Sequence, residues 1–197
     1  MKAASAPATL SREVIVKQAL TIADHDGLAA VSMRRVGAEL GHSGMALYGY
    51  VASKDELLQL MVDQVFGEIA PLDDTQDWRH AIIEFFVRVR SALLTHAAVA
   101  RLAAERPVEG GHSARHSRLI LATLRGAGLT DDLAGEAFIA LSCYTLGASL
   151  YTAGRDGTGT GTRATTSPPA SVRASSAQFR GGLEHLIDGY AAHLTTG

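Results

Sequence analysis

Apolar residues recur three and four positions apart along most of the chain, and no segment shows the alternation of period two that a half-buried strand requires. The expected fold class is therefore all-α. Ser11 reads as the N-cap of a first helix in "REVIVKQALTIADHDG", with Leu10 able to staple onto Ile15 and Gly27 as its left-handed stop. Its core face is Val14, Ile15, Ala19, Ile22 and Ala23. Ser32 opens a second helix of about two turns that buries Met33 or Val36 together with Leu40 and stops at Gly41. Ser53 and Glu56 form an S-x-x-E box ahead of Leu57, Leu60, Met61, Val65 and Ile69, so a longer helix starts at Lys54.

Pro71 and the acidic "DDTQD" end that helix and divide residues 1–70 from residues 71–197. Beyond this boundary the pattern predicts helices near 77–96, 98–105 (stopped by Pro107), 112–126, 130–153 and 175–195. The last carries Phe179, Leu183, Leu186, Ile187 and Tyr190. Residues 154–173 are Gly, Thr, Ser and Pro without apolar period and read as a mobile loop.

The segment between the second and fourth helices fits a helix-turn-helix frame. With Met33 in first position, Val36 falls at four, Gly37 at five, Leu40 at eight, Gly41 at nine, Leu47 at fifteen and Tyr50 at eighteen. A small residue at five lets two helices cross closely, and a glycine at nine accepts the positive φ of the turn. His42 departs from the frame, which favours an apolar residue at position ten, and its ring is expected partly exposed at the turn.

On this frame Gly44 to Tyr50 is the recognition helix, and it carries no charge. Reading of base edges would fall to Arg34, with Met45 and Ala46 available for thymine methyls. Tyr48, Tyr50, Ser32 and the helix start at Lys54 would serve phosphates. Met33 belongs to the same candidate face.

Composition changes this picture little. The 197 residues are 47% hydrophobic, enough for a core, and the formal charge of −2 offers no global attraction to nucleic acid. Residues 1–54 hold six Lys/Arg against four Asp/Glu, a local +2. The single cysteine, Cys143, rules out an internal disulfide; it sits in an apolar run and is expected in the core. The N-terminus lacks a secretory signal, and no apolar run approaches the roughly 20 residues that cross a bilayer, so a cytoplasmic protein without a membrane partner is expected.

Other chemistries leave weaker traces. His112 and His116 stand at i and i+4, with His96 a possible third ligand of a metal-binding regulator or enzyme, but no H-E-x-x-H pattern accompanies them. Gly110 and Gly111 suggest a frayed, exposed helix start, so a solvated face is the expectation for both histidines. "GTGTGT" lacks the preceding strand and following Lys-Ser/Thr of a phosphate loop. No nucleophile-base-acid set is present to suggest an enzyme, and nothing calls for a cofactor. A helical interaction module without DNA binding remains open, favoured by the uncharged recognition helix.

The stretch "IVKQALTIADHDGLAAVSMRRVGAELGHSGMALYGYVASKDELL" resembles the TetR family of transcriptional repressors across its whole DNA-binding module. "ALLTH" (92–96), "RP" (106–107), "YTLGASL" (144–150) and "GLEHLIDG" (182–189) are similar to the tetracycline-repressor class of C-terminal domain, a likeness that fails over 154–173. The resemblance implies a homodimer on a palindromic double-stranded DNA operator, released by a small-molecule effector. It also implies that helices 130–153 and 175–195 form a four-helix bundle with a partner subunit, where Gly147, Ala148, Gly181 and Gly182 would permit close approach.

Arg34, Tyr48 and Lys54 match that class's DNA contacts. Its base-reading amide falls on Gly44, and its aromatic and histidine phosphate contacts fall on Gly49 and Tyr50. Where the class holds drug and magnesium, this chain has Ala70, Phe85, Val89, Leu102, Ile120 and Tyr151. Hard cations need oxygen or imidazole ligands, so the resemblance implies an apolar or aromatic effector, with Tyr151 as a hydrogen-bonder, and not tetracycline.

Overall fold

Serine caps start five of the described helices, the first four of them in succession. In the computed structural model, which describes residues 9–73, 76–105, 110–156 and 175–195, Ser11 accepts the Val14 N–H and opens α1 (Arg12–Asp26). Ser32 accepts from Arg35 to open α2 (Met33–Glu39), and Ser43 accepts from Ala46 to open α3 (Gly44–Leu47). Ser53 accepts from Glu56 to open α4 (Lys54–Gly67). The Glu56 carboxylate reaches back to the N–H of Ala52, one residue before the cap, so the expected box closes one position early. Each bond satisfies an N–H that the first helical turn leaves without an intrahelical partner.

Two glycines permit the chain reversals. Gly27 (φ 81°) ends α1 and Gly41 (φ 75°) turns the chain between α2 and α3, both in a region costly for residues with a Cβ. The small core beneath α1–α4 gathers Ile15, Ala19, Val31, Val36, Leu47, Val51, Leu57 and Met61, all fully or almost fully buried. Val16 and Leu20 join it, widening the apolar stripe of α1 beyond its expected face, while Val14 is half-buried. Arg12 pins the far side: its Nε donates to the Tyr50 carbonyl at 3.0 Å and its guanidinium lies 3.3 Å from Glu56.

The larger layer comprises α5 (Trp78–Thr95), α6 (Ala97–Glu105), α7 (Gly111–Gly126), α8 (Asp131–Asp156) and α9 (Ser176–Ala191), followed by a 3-10 turn at Ala192–Thr195. Asp77 caps α5, and Ser175 with Gln178 forms a complete reciprocal box at α9. The described residues contain no strand, in keeping with the all-α expectation. α8 crosses α5, α6, α7 and α9 and forms the spine of the bundle. Arg180 on α9 pairs with Glu84 on α5 at 2.6 Å, and the Arg90 guanidinium lies 4.9 Å over the Phe179 ring.

Three expectations need correction here. Residues Asp131–Ala153 of α8, with mean hydropathy 1.4, are long and apolar enough to cross a membrane by length and composition, although no such run was expected. The cause is a helix with two apolar faces: Ala134, Ala137 and Leu141 are buried in the bundle, while Ile139 (62% exposed) and Tyr151 (43% exposed) look outward. Cys143 lies on that outward stripe and is exposed, not in the core. α8 also continues to Asp156, into the segment expected as a loop; the rest of that segment, with Arg106 and Pro107, lies outside the described residues.

Two contacts join the layers, one through α4 and one through α1 and the C-cap of α4. Asp63 Oδ1 accepts the backbone N–H of His112 at 2.9 Å and of Ser113 at 3.4 Å, capping α7 from another helix. The start of α7 is therefore not frayed. A Cβ on Gly110 would collide with the Asp63 carboxylate, so the glycine makes room for this cap. At the other contact His96 Nδ1 meets Asp24 of α1 at 2.8 Å, and Nε2 lies 3.5 Å from Glu68.

Candidate nucleic-acid interface and ligand cavity

The short α2–turn–α3 unit places its polar and aromatic residues on one surface. Met45 is 77% exposed, and Ala46, Tyr48, Tyr50, Arg34 and Lys54 are exposed beside it. Arg34 and Lys54 form no ion pair among the described residues, whereas the neighbouring Arg35 is bound to Asp26 at 2.5 Å and lies 3.9 Å from Glu39. Arg34 and Lys54 thus place two unpaired cations on the outward face. Ser32 is half-buried and engaged as a cap.

Three details depart from the sequence frame. Met33 is buried, 6% exposed, and packs in the core under the unit, so it cannot reach a base. The recognition helix is one turn long: regular α-helix ends at Leu47, and Tyr48 and Tyr50 continue through i→i+3 bonds to Met45 and Leu47 at 3.2 and 2.9 Å. Gly44 is no vacant reading position. A Cβ there would stand 2.9 Å from Arg34 Cα and 3.1 Å from its nitrogen, and one on Gly37 would stand 2.9 Å from Gly44 N. The two glycines let α2 and α3 touch backbone to backbone.

A cavity of about 300 Å³ opens between α4, α5, α6, α7 and α8, walled by Phe66, Phe86, Leu93, Ala103, Phe138 and Leu146 among others. Of the expected effector residues it brings together Phe85, Val89 and Ile120. Ala70 sits exposed in the loop after α4, Leu102 is buried in α6 beside the lining residue Ala103 without itself lining the cavity, and Tyr151 projects outward from α8. These three are corrected. Ala70 follows the end of α4, and the inward turn of α8 presents Ser142, Thr145 and Leu146 in place of Tyr151.

The residue that spacing alone misjudged is His116. It is 7% exposed and lines the cavity, with Nε2 3.0 Å from the Phe66 carbonyl and its ring tilted against Phe85 at 5.0 Å between centroids. Its Nδ1 is buried without a partner among the described residues. Burial holds the imidazole below the usual histidine range; the Phe66 carbonyl opposes this, and the charges of His112, Arg115 and Arg88 add to it. His112, one turn earlier, is exposed, so the pair forms no joint solvated face. Among the described residues no group of three metal-ligating side chains converges.

A cationic, aromatic helix-turn-helix surface joined through one helix to a bundle with an apolar cavity defines a DNA-binding transcriptional regulator with a ligand-accommodating domain. Residues 15–61 match the family described as bacterial regulatory proteins, tetR family, and residues 70–194 the tetracyclin repressor-like C-terminal domain. The chain belongs to the TetR family of transcriptional regulators, not to an enzyme family.

Similar proteins include an HTH-type transcriptional regulator of Saccharopolyspora erythraea, 37% identical over 70% of this chain and 59% of its own length. The HTH-type transcriptional repressor DrrR1 of Streptomyces coeruleorubidus is 38% identical over 72% of this chain and 53% of its own length. The chain thus spans a little over half of these curated relatives. The structure of the Streptomyces coelicolor TetR-family protein ActR in complex with actinorhodin superposes with a TM-score of 0.78 at 30% identity, covering 94% of this chain and 99% of that one.

Proposed function

We infer that this protein is a homodimeric repressor that binds a palindromic operator through Arg34, Met45, Ala46, Tyr48, Tyr50 and Lys54, and is released by an uncharged, apolar or aromatic small molecule. The observation that carries the reading is the pairing of Arg34 and Lys54, without an ion pair among the described residues, on the helix-turn-helix face with a cavity whose described lining holds no Asp, Glu, Lys or Arg. Such a lining offers one imidazole and a few hydroxyls but no carboxylate to hold a drug-bound magnesium, which argues against tetracycline as inducer. The solved complex of ActR with actinorhodin supports a small-molecule occupant.

Dimerisation through α8 and α9 is supported by the outward stripe of Ile139, Cys143, Gly147 and Tyr151. Exposed apolar patches of this kind mark interaction surfaces. Gly147 and Gly181 have open space where a Cβ would stand, room that a partner helix could fill.

The test is fluorescence anisotropy on DNA from the region upstream of the protein's own gene. Affinity should fall steeply as salt rises. Arg34→Ala should lose about 1–3 kcal/mol of sequence discrimination, whereas Lys54→Ala should weaken all sequences alike. Binding that is absent, or indifferent to salt, would sink the reading.

A further inference from the structure

Three helices end on one imidazole. His96 is the C-cap of α5, Asp24 stands in the last turn of α1, and Glu68 is the C-cap of α4. Nδ1 of the ring lies 2.8 Å from Asp24 Oδ2 and Nε2 lies 3.5 Å from Glu68 Oε2, so each nitrogen faces its own carboxylate. The His96 carbonyl accepts the N–H groups of Val99 and Ala100 at 2.9 and 3.2 Å, which ties the backbone behind the ring to the start of α6.

Helix C-termini present unmatched carbonyls and carboxylates present lone pairs, so this junction calls for a donor. Only the imidazolium donates from both nitrogens. Asp24 and Glu68 have no other ionic partner among the described residues. The other charged groups of the elements meeting here are engaged elsewhere or form no ion pair with the three. His25 of α1 is held by the Thr21 carbonyl, Asp63 of α4 caps α7, and Lys17 of α1 with Arg101 and Glu105 of α6 stands apart. The His96 side chain is 15% exposed and that of Asp24 25%, so their contact is partly shielded from salt, whereas Glu68 at 49% contributes less.

We propose that His96 is a positioning residue for operator binding: through Asp24 and Glu68 it ties α1 and the end of α4 to the α5–α6 corner and so fixes the angle at which the helix-turn-helix meets DNA. His96 itself touches no base or phosphate. The inference rests on the reading of the chain as a dimeric operator-binding protein. A dimer reads two half-sites at a set spacing. A DNA-binding unit free to swing must therefore be ordered again at each specific site, whereas random DNA imposes no register.

The test is fluorescence anisotropy of the full chain on a duplex from upstream of the protein's own gene and on a random duplex of equal length. His96→Leu should weaken the upstream duplex about five- to tenfold and leave the random one nearly unchanged. Asp24→Ala should reproduce most of that loss, and the double variant should be no weaker than His96→Leu alone, because one contact is lost only once. His96→Lys, whose ammonium can serve both carboxylates, should recover most of the affinity; a ring needed only for packing would not be replaced in this way. Hydrogen exchange over residues 23–27 should quicken in His96→Leu without DNA, with circular dichroism melts showing that each variant is folded. Should the leucine variant not fold, Asp24→Ala and His96→Lys carry the same comparison. Additive losses, equal losses on both duplexes, a lysine variant no better than leucine, or unchanged exchange overturns the role of His96. Wild type that prefers neither duplex removes the operator reading and the positioning role with it, while exchange still reports separately whether His96 holds α1.

Discussion

The ring of Tyr144 on α8 lies flat against that of Phe179 on α9, centroids 5.3 Å apart and planes 2° from parallel, with its hydroxyl donating to the Phe179 carbonyl at 3.3 Å. The hydroxyl occupies the place where a side chain on Gly182 would begin. Gly182 thus serves a contact within one subunit, in addition to any approach of a partner helix.

Gly182→Ala should therefore lower stability by about 1–3 kcal/mol, because the stacked ring must leave its place. Gly181→Ala meets open space and removes a helix-weakening glycine, for a gain of up to about 1 kcal/mol in the isolated subunit. Chemical denaturation of the two variants should move in opposite directions. Equal shifts would mean that Tyr144 yields without cost.

Gly44→Gln supplies the amide that the resemblance places at this position, and it should fail to create a reader. Its Cβ runs into the Arg34 backbone 2.9 Å away, so α2 and α3 must separate and DNA affinity should fall for every sequence, with a stability loss of about 1–3 kcal/mol. Gly49→Ala, whose Cβ would lie 3.6 Å from the Ala46 carbonyl oxygen, should be tolerated. Thermal melts alongside anisotropy on specific and random DNA distinguish the two results.

Asp63→Ala removes the cap that α4 supplies to α7 and should cost about 0.5–2 kcal/mol. Asp63→Asn keeps one acceptor oxygen and should recover most of that loss. Hydrogen exchange at the amides of His112 and Ser113 reports the cap directly: faster exchange is expected in the alanine variant and near-native exchange in the asparagine variant.

His116 makes stability depend on pH with a definite sign. Its folded pKa lies below the usual value, so as pH falls through about 6.5 the unfolded chain binds a proton that the folded chain still refuses. The neutral-ring advantage is complete above about pH 6.5, is lost as pH falls toward the folded pKa, and changes no further below it. Urea melts at pH 8, 6.5 and 5.5 should show wild type losing more stability than His116→Gln over this range. An equal loss in both would place the ring in contact with water.

Much of this was legible in the chain because it is locally encoded. Ser11, Ser32 and Ser53 act on N–H groups within three residues, and the frame from Met33 to Tyr50 sets glycines at the crossing and the turn. What escaped depends on distant partners. Asp63 and Gly110 are far apart in sequence, so nothing at Gly110 announces a cap. His112 and His116 share a helical face by spacing, but the end of α4 and the ring of Phe85 close over His116 and leave His112 exposed. Tyr151 and Leu146 are both apolar-faced residues of a helix with two such faces, and only the packing of α5, α7 and α9 decides which one turns inward.

The exposed thiol on α8 also supplies a practical handle. Cys143 is the chain's sole cysteine and stands one turn from Ile139 on the outward stripe. A maleimide dye would therefore label one defined position, and its rate of attachment, followed from dilute to concentrated protein, would count the helices left uncovered. The chain carries its own gauge of self-association, with no engineered residue needed to read it.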